Sequence, residues 1–209
     1  MTMQEQILKG RQPEVLRAVA PVATRFGFYL AGGTAIALRL GHRRSEDLDW
    51  FTDAAQFPSE SLLAALRNAV NIEVQTLEAG TIIGWVQGVK VSFLQFPYPF
   101  LAAPEKVETC DLQLAQLQDL AAMKLLAVTQ RGARKDFIDV YELLRRGGDL
   151  RTMLADYQKK FRVTSVISVL RALVYFDDAE REPMPEMLVP LVWAELKDEL
   201  RSAVSRFMQ

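Results

Sequence analysis

The sequence predicts an α+β fold, in which a small mixed β-sheet with flanking helices is followed by a helical C-terminal part. Short segments rich in β-branched and aromatic residues are concentrated between residues 28 and 95. From residue 115 onwards, apolar residues recur instead at the spacing of helices. The predicted division therefore places an α/β core at 1–110 and a helical region at 111–209. The boundary is soft, and a single domain is the alternative.

The first elements are read from apolar spacing and from glycine. Val15, Val19 and Val22 share one side of a predicted helix over 13–26, which Pro21 could kink. The apolar segment 28–30 predicts a short strand that leads into two consecutive glycines. A helix over 34–40 follows, with Gly41 as its C-terminal cap, and then a strand over 47–52 and a helix over 58–70.

The remaining elements are a meander and a series of helices. Three apolar segments, 72–77, 81–86 and 89–94, are separated by turn residues at 78–80 and 87–88, which predicts three antiparallel strands. Helical spacing then predicts five helices, over residues 115–129, 135–146, 150–160, 164–176 and 186–207.

Composition excludes several classes of function. The chain has 209 residues, half of them hydrophobic, and a formal net charge of −1, so any polynucleotide would have to meet a local basic patch. With Cys110 as the single cysteine and His42 as the single histidine, intrachain disulfide scaffolds and multi-histidine zinc sites are excluded. The polar N-terminus and the lack of roughly eighteen consecutive apolar residues predict a cytoplasmic protein without a membrane span.

The segment from residue 30 to residue 51 carries the most information about chemistry. Gly32 and Gly33 bring backbone close to a ligand and open a helix, whose free N–H groups and positive dipole end suit a phosphate. Thr34 is predicted to be the N-cap or a hydroxyl that contacts phosphate. On the following strand, Asp47 and Asp49 point to the same face, so their carboxylates converge. Such a pair favours magnesium or manganese when substrate phosphates complete the coordination.

Two sequence blocks resemble the AbiEii/AbiGii toxin family within the DNA polymerase beta-like nucleotidyltransferases. The first is GGTAIALRLGHRRSEDLDWF, beginning at Gly32, and the second runs from Asp119 to Lys124 and on through Asp136 and Asp139. The resemblance covers about two thirds of the chain. It implies a nucleotidyltransferase core that uses a nucleoside triphosphate.

The resemblance also implies roles for individual residues. Gly33 and Thr34 would contact the triphosphate, and Asp47 and Asp49 would bind the metal. Lys124 would approach the nucleotide phosphates, with Asp136 nearby as a functional acid. Gly32, Arg44 and Ser45 complete the predicted nucleotide-binding set. Family members transfer nucleotides, several are toxins that act beside an antitoxin protein, and RNA such as tRNA is an implied acceptor, with protein as the alternative.

One residue departs from the pattern of this superfamily. Its active members usually carry a third carboxylate on a later strand, and here that position is Ser92, which can neither bind metal as a carboxylate does nor act as a base at neutral pH. Either Glu73 or another acid substitutes, or catalysis is weak or absent. An inactive module that binds nucleotide or a partner is therefore the main alternative. A haloacid dehalogenase-like phosphatase ranks lower, because Thr52 falls one place late for that motif.

Other residues have a structural and a functional interpretation. Lys124 lies in an apolar helix, where it either reaches solvent or pairs with acids of the site. His42 is expected on a surface loop, and Lys160 at a solvated helix end. The segment from Phe96 to Phe100 could stack a base or pack on the core. Five basic residues either form a basic rim for triphosphate or RNA or are solvated surface charges, namely Arg43, Arg44, Arg131, Arg134 and Lys135.

Overall fold

The computed structural model describes residues 4–209 and contains eight α-helices and seven strands over that range. The helices are α1 Gln12–Arg25, α2 Gly32–Leu40, α3 Ser59–Ala69, α4 Leu117–Gln130, α5 Arg134–Arg145, α6 Leu150–Phe161, α7 Ile167–Leu173 and α8 Trp193–Met208. The strands are β1 Tyr29–Leu30, β2 Leu48–Thr52, β3 Ile72–Glu78, β4 Thr81–Val86, β5 Val89–Gln95, β6 Glu105–Val107 and β7 Leu112–Leu114.

All seven strands form one mixed sheet in the order β3-β4-β5-β2-β1-β7-β6. The meander β3-β4-β5 is antiparallel, whereas β2 runs parallel to β5 and antiparallel to β1. The parallel pairing of β5 with β2 places the meander beside the strand of the two aspartates. The α+β class with a mixed sheet is confirmed.

The sheet has a fully apolar face and a mixed face in its centre. Leu48 and Trp50 of β2 and Val91 and Phe93 of β5 are completely buried. Because side chains alternate along a strand, the residues between them point to the opposite side. That opposite side is where Asp49 of β2 lies.

Most predicted elements are confirmed, and the exceptions are short or lie late in the chain. The helix predicted from residue 34 begins at Gly32, and β2 begins at Leu48, directly after Asp47. Two three-residue strands, β6 and β7, lie where no element was predicted, and β7 pairs with β1 beyond the predicted boundary at residue 110. The last helix begins at Trp193 and not at residue 186. The division into two parts stays a prediction.

The segment before α8 runs along the loop that precedes β2. Arg43 and Met187 form an isolated antiparallel bridge, flanked by hydrogen bonds from Arg44 N to Glu186 O and from Leu188 N to His42 O, both of 2.9 Å. The Arg44 side chain also donates to the Glu186 carboxylate at 2.6 Å. The C-terminal segment therefore helps to hold the loop between α2 and β2.

No helix within residues 4–209 combines the length and the apolar character that crossing a lipid bilayer requires.

Candidate functional site

The glycine pair lets two functional side chains approach the start of α2. Gly32 has φ +68°, and a Cβ added to it would lie 3.1 Å from Asp49 Oδ2. A Cβ added to Gly33 would lie 2.7 Å from Arg43 Nη2. The residue before the helix is Ala31, and no side chain caps the first turn. The N–H groups of that turn thus lack a side-chain acceptor, which suits an anion.

Thr34 is not the N-cap, because it lies inside the first turn of α2. Its buried hydroxyl contacts the carbonyl oxygen of Asp47 and lies 2.8 Å from Ser45 Oγ. These contacts join the helix start to the loop that carries the acidic pair. Thr34 and Ser45 therefore position Asp47, and their contact with phosphate stays a prediction.

Asp47 and Asp49 are half-buried and face the same side of the sheet, away from buried Leu48 and Trp50. Burial raises the pKa of the Asp49 carboxyl, and the nearby charge of Asp47 raises it further. A cation bound between the two carboxylates would stabilise the ionised form of Asp49. Within residues 4–209, no group of three or more His, Cys, Asp and Glu residues comes together to hold a metal.

Ser92 lies directly opposite Asp49 on β5, at the position where a third carboxylate was sought. Its hydrogen bond to Asp49 favours the ionised carboxylate. Glu73 lies on β3, the outermost strand, and does not line the cleft beside Asp49. Among residues 4–209, the acids that line this cleft are Asp47 and Asp49, so no third carboxylate takes the place of Ser92 there.

Lys124 is buried and pairs with two carboxylates from the next helix. Its Nζ lies 2.8 Å from Asp136 Oδ1 and 2.7 Å from Asp139 Oδ2. Of the two interpretations of Lys124, pairing is therefore confirmed and exposure to solvent is wrong. An ammonium has three N–H donors, so one remains available toward the cleft that Lys124 lines.

Asp139 anchors a group of cations inside the protein. Arg43 donates to it through Nε at 2.7 Å and Nη2 at 2.8 Å, and His42 Nε2 lies 2.8 Å from Oδ1. Burial opposes ionisation of Asp139, but the charges of Arg43 and Lys124 outweigh it and hold its pKa well below the ordinary value. His42 is fully buried, so its expected position on a surface loop is wrong.

Asp136 is the second anchor, and it is connected to the rim of the cleft. Arg131 donates to it through Nε at 2.7 Å and through Nη2 at 2.9 Å, while 56% of the Arg131 side chain is exposed. Burial raises the pKa of Asp136, but the hydrogen bond from Arg131 and the charge of Lys124 more than reverse this. Asp136 is therefore an ionised acceptor of hydrogen bonds.

These groups surround one cleft of about 370 Å³, here called the main cleft. Its polar wall comprises Gly32, Gly33, Arg43, Ser45, Asp47, Asp49, Lys90, Ser92, Lys124, Arg131 and Lys135. Its apolar wall includes Phe51, Ile83, Leu94, Phe96, Leu120, Met123 and Leu126. One wall suits phosphates and cations, and the other suits a flat, apolar group such as a nucleobase.

The predicted basic rim is only partly assembled in the main cleft. Arg43, Arg131 and Lys135 line it. Arg44 is bound to Glu186, and Arg134 donates to the carbonyl oxygens of residues 179 and 180, so neither lines this cleft. The assignment of Arg44 to nucleotide stays a prediction, although its guanidinium already has partners.

A second buried ion pair lies behind the apolar wall. Lys160 Nζ is 2.6 Å from Asp119 Oδ1, and both side chains are almost fully buried, so the expected solvated position of Lys160 is wrong. Lys160 also donates to the carbonyl oxygen of Pro99 at 3.0 Å and lies over the ring of Phe96. The loop from Phe96 to Phe100 is therefore held by the Lys160–Asp119 pair, while Phe96 also lines the main cleft.

The sequence as a whole matches one protein family. The profile of the nucleotidyl transferase AbiEii toxins, of type IV toxin–antitoxin systems, matches residues 14–103 and 86–209. An uncharacterized protein of Aquifex aeolicus (strain VF5) is 35% identical over 204 residues, which cover 97% of this chain and 98% of that protein.

Solved structures agree on the fold. MenT4, a nucleotidyltransferase toxin from Mycobacterium tuberculosis H37Rv, superposes with a TM-score of 0.57 at 14% identity, over 94% of this chain and 82% of MenT4. ANT(2")-Ia in complex with adenylyl-2"-tobramycin superposes with a TM-score of 0.53 at 14% identity, over 73% of this chain and 99% of that protein.

Proposed function

Because this chain belongs to the AbiEii nucleotidyl transferase toxin family, we propose that it transfers a nucleoside monophosphate from a nucleoside triphosphate to a hydroxyl group of an acceptor. The acceptor is RNA or protein, and pyrophosphate is the second product. The observation that carries the proposal is the position of Asp47 and Asp49 beside the uncapped start of α2 in the main cleft. The aspartate pair that would bind the metal is therefore adjacent to the helix start that would bind phosphate.

The residues present fit a divalent metal. Asp47 and Asp49 supply hard oxygen ligands, and because burial and then the charge of Asp47 raise the pKa of Asp49, a bound cation would favour its ionised form. Magnesium or manganese bound there would neutralise charge on the triphosphate. The close approach of Gly32 to Asp49 leaves no room for a larger side chain at this point.

The cations of the cleft would hold the phosphates and stabilise charge that develops during transfer. Lys124 and Arg43 are fixed by Asp139, and Arg131 by Asp136, so little reorganisation is needed when the substrate binds. The half-exposed Arg131 is the most accessible of the three. We assign Lys124 to the nucleotide phosphates and Asp136 to the fixation of Lys124 and Arg131.

A second candidate function is a nucleotide-binding or antitoxin-binding module without turnover. The observation that favours it is Ser92 opposite Asp49, since the lining of the main cleft within residues 4–209 contains no acid besides Asp47 and Asp49. The phosphatase alternative has no support in the family match. In the toxin interpretation, a separate antitoxin protein is the expected partner.

The test is transfer of label from α-³²P-labelled nucleoside triphosphates to total RNA and to protein, with magnesium or manganese. The wild type is expected to label an acceptor and release pyrophosphate, and Asp47→Asn with Asp49→Asn is expected to label none. Equal labelling by the double variant would refute the enzyme proposal. Stabilisation of the wild type by metal and triphosphate without any labelling would favour the binding module. Release of inorganic phosphate as the first product would instead support the haloacid dehalogenase-like phosphatase alternative.

A further inference from the structure

A second groove opens beside the main cleft and shares Asp47 and Lys90 with it. It has a volume of about 310 Å³ and is called here the Trp85 groove, after the aromatic residue on its floor. The charged residues along it are Lys9, Arg11, Glu46, Asp47 and Lys90. None of the sequence motifs described above includes Trp85.

The register of the sheet places Trp85 on the same face as the acidic pair. Trp85 on β4 is directly opposite Lys90 on β5, and Ser92, two residues after Lys90, is opposite Asp49 on β2. Side chains directly opposite or two residues apart share a face. The face therefore carries an aromatic ring, an ammonium and the acidic pair in succession.

The Trp85 side chain is exposed to solvent on the sheet surface and is not part of the hydrophobic core. Its exposed fraction is 42%, whereas Trp50 on β2 is fully buried. The indole Nε1 lies 3.4 Å from Gln75 Oε1, which holds the edge of the ring and leaves its body open. An aromatic face that is exposed beside cations is the arrangement on which proteins stack single-stranded bases.

The charges of the groove favour an anionic ligand. No ion-pair partner of Lys90 lies within 4.0 Å among residues 4–209. Lys9 pairs with Glu186, and Arg11 lies 3.9 Å from Glu14, but both pairs are at the surface, where such contacts contribute little and a phosphate can replace them.

The two acids of the groove do not offset this preference. Asp47 is already assigned to the metal, which leaves Glu46 as the single acid against three cations. A polycationic acceptor such as an aminoglycoside would be repelled by Lys9, Arg11 and Lys90.

We propose that the Trp85 groove binds the terminal nucleotide of a single-stranded RNA acceptor, with its base stacked on Trp85 and its phosphate near Lys90 and Arg11. This inference rests on the proposed nucleotidyl transfer and names its acceptor. The shared boundary at Asp47 places the terminal ribose hydroxyl next to the main cleft. There the hydroxyl oxygen would form a bond to the α-phosphorus as the bond to pyrophosphate breaks, and the hydroxyl proton leaves to solvent.

The experiment measures binding of a fluorescein-labelled RNA hexamer by anisotropy. The variants are Trp85→Ala, Trp85→Phe and, as a matched control, Tyr175→Ala, since Tyr175 is 54% exposed and lines neither cleft. Trp85→Ala is expected to weaken binding by about 5- to 150-fold, the loss expected for one base–aromatic stack. Trp85→Phe is expected to keep most of the affinity, and Tyr175→Ala all of it.

A thermal shift with manganese and a triphosphate analogue, measured on the same proteins, separates the two proposals. If the shift is present in all variants and Trp85→Ala binds RNA as the wild type does, the groove assignment is wrong while the proposed function stands. If the wild type shows no shift and no transfer but RNA binding still depends on Trp85, the proposed function fails and the groove remains an RNA-binding site without a role as acceptor site. Equal competition by blunt-ended duplex RNA, or transfer of label to protein alone, would overturn the assignment.

Discussion

Asparagine at position 139 is expected to destabilise the protein more than asparagine at position 136, although both carboxylates are fully buried. Asp139 accepts hydrogen bonds from Nε and Nη2 of Arg43 and also contacts Lys124 and His42. In the Asp139→Asn variant, the guanidinium of Arg43 would stay buried without its counter-charge, with the amide oxygen of the new side chain and the carbonyl oxygen of Arg44 as its hydrogen-bond acceptors. An arginine cannot escape this by losing its proton.

The structure sets the expected difference. Removing one partner of a buried ion pair costs about 3–5 kcal/mol, so about 4 kcal/mol is expected for Asp139→Asn. In Asp136→Asn, Lys124 keeps Asp139, and the half-exposed Arg131 can be hydrated, so about 1.5 kcal/mol is expected. For 209 residues, an unfolding entropy of about 0.44 kcal/mol/K converts these values to about 9 °C and about 3 °C in melting temperature.

The assay is urea unfolding followed by circular dichroism at pH 7, supported by calorimetric melting temperatures. Asp198→Asn is the control, since Asp198 is exposed and pairs only with Arg201 at the surface, and its effect is expected to stay within about 0.5 kcal/mol. Equal losses at positions 136 and 139, or a larger loss at 136, would refute the assignment of Asp139 as the structural anchor.

Three further predictions follow from the same contacts. Folding lowers the pKa of Asp139, so its stabilising contribution is complete above the unfolded pKa of about 3.9 and is lost as pH falls through the folded value. The free energies of unfolding of the wild type and of Asp139→Asn are therefore expected to converge in acid. A difference in free energy of unfolding that stays constant with pH would contradict this. Gly33→Ala would place a Cβ 2.7 Å from Arg43 Nη2, an atom that Asp139 holds in place. The free energy of unfolding in urea is therefore expected to fall by about 2 kcal/mol. An unchanged urea midpoint would show that Arg43 moves freely. Lys160→Met would leave the buried carboxylate of Asp119 without its cation, so the free energy of unfolding is expected to fall by about 3 kcal/mol. The triphosphate-induced thermal shift is expected to be retained. Loss of that shift would show that the Lys160–Asp119 pair contributes to nucleotide binding.

The sequence predicted the parts of the fold that depend on local periodicity. Amphipathic helices such as α1 and the alternating strands β3, β4 and β5 carry their own signal, because one face of each must be apolar. The strands β6 and β7 have three residues each, which is too short for an alternating pattern to appear. The late start of α8 reflects the bridge near Met187, a contact that no local pattern encodes.

The same distinction applies to the site. The glycine pair and the two aspartates were found from the sequence because their spacing alone places them together. The burial of His42 and Lys160 was missed, since their acidic partners are 97 and 41 residues away along the chain. The roles of Asp47, Asp49, Lys124 and the nucleotide-binding residues in metal and phosphate binding stay predictions, whereas membership of the nucleotidyltransferase family is confirmed.

The bridge between Arg43 and Met187 has a consequence for the order in which the protein is made. A ribosome synthesises the loop before the acidic pair early, but Met187, the backbone partner of Arg43 in that loop, is added much later. Asp139, the buried counter-charge of Arg43, also follows about a hundred residues behind it. During synthesis, the loop therefore lacks its backbone partner and Arg43 lacks its counter-charge until these later segments have been added, and the site can assemble only after that.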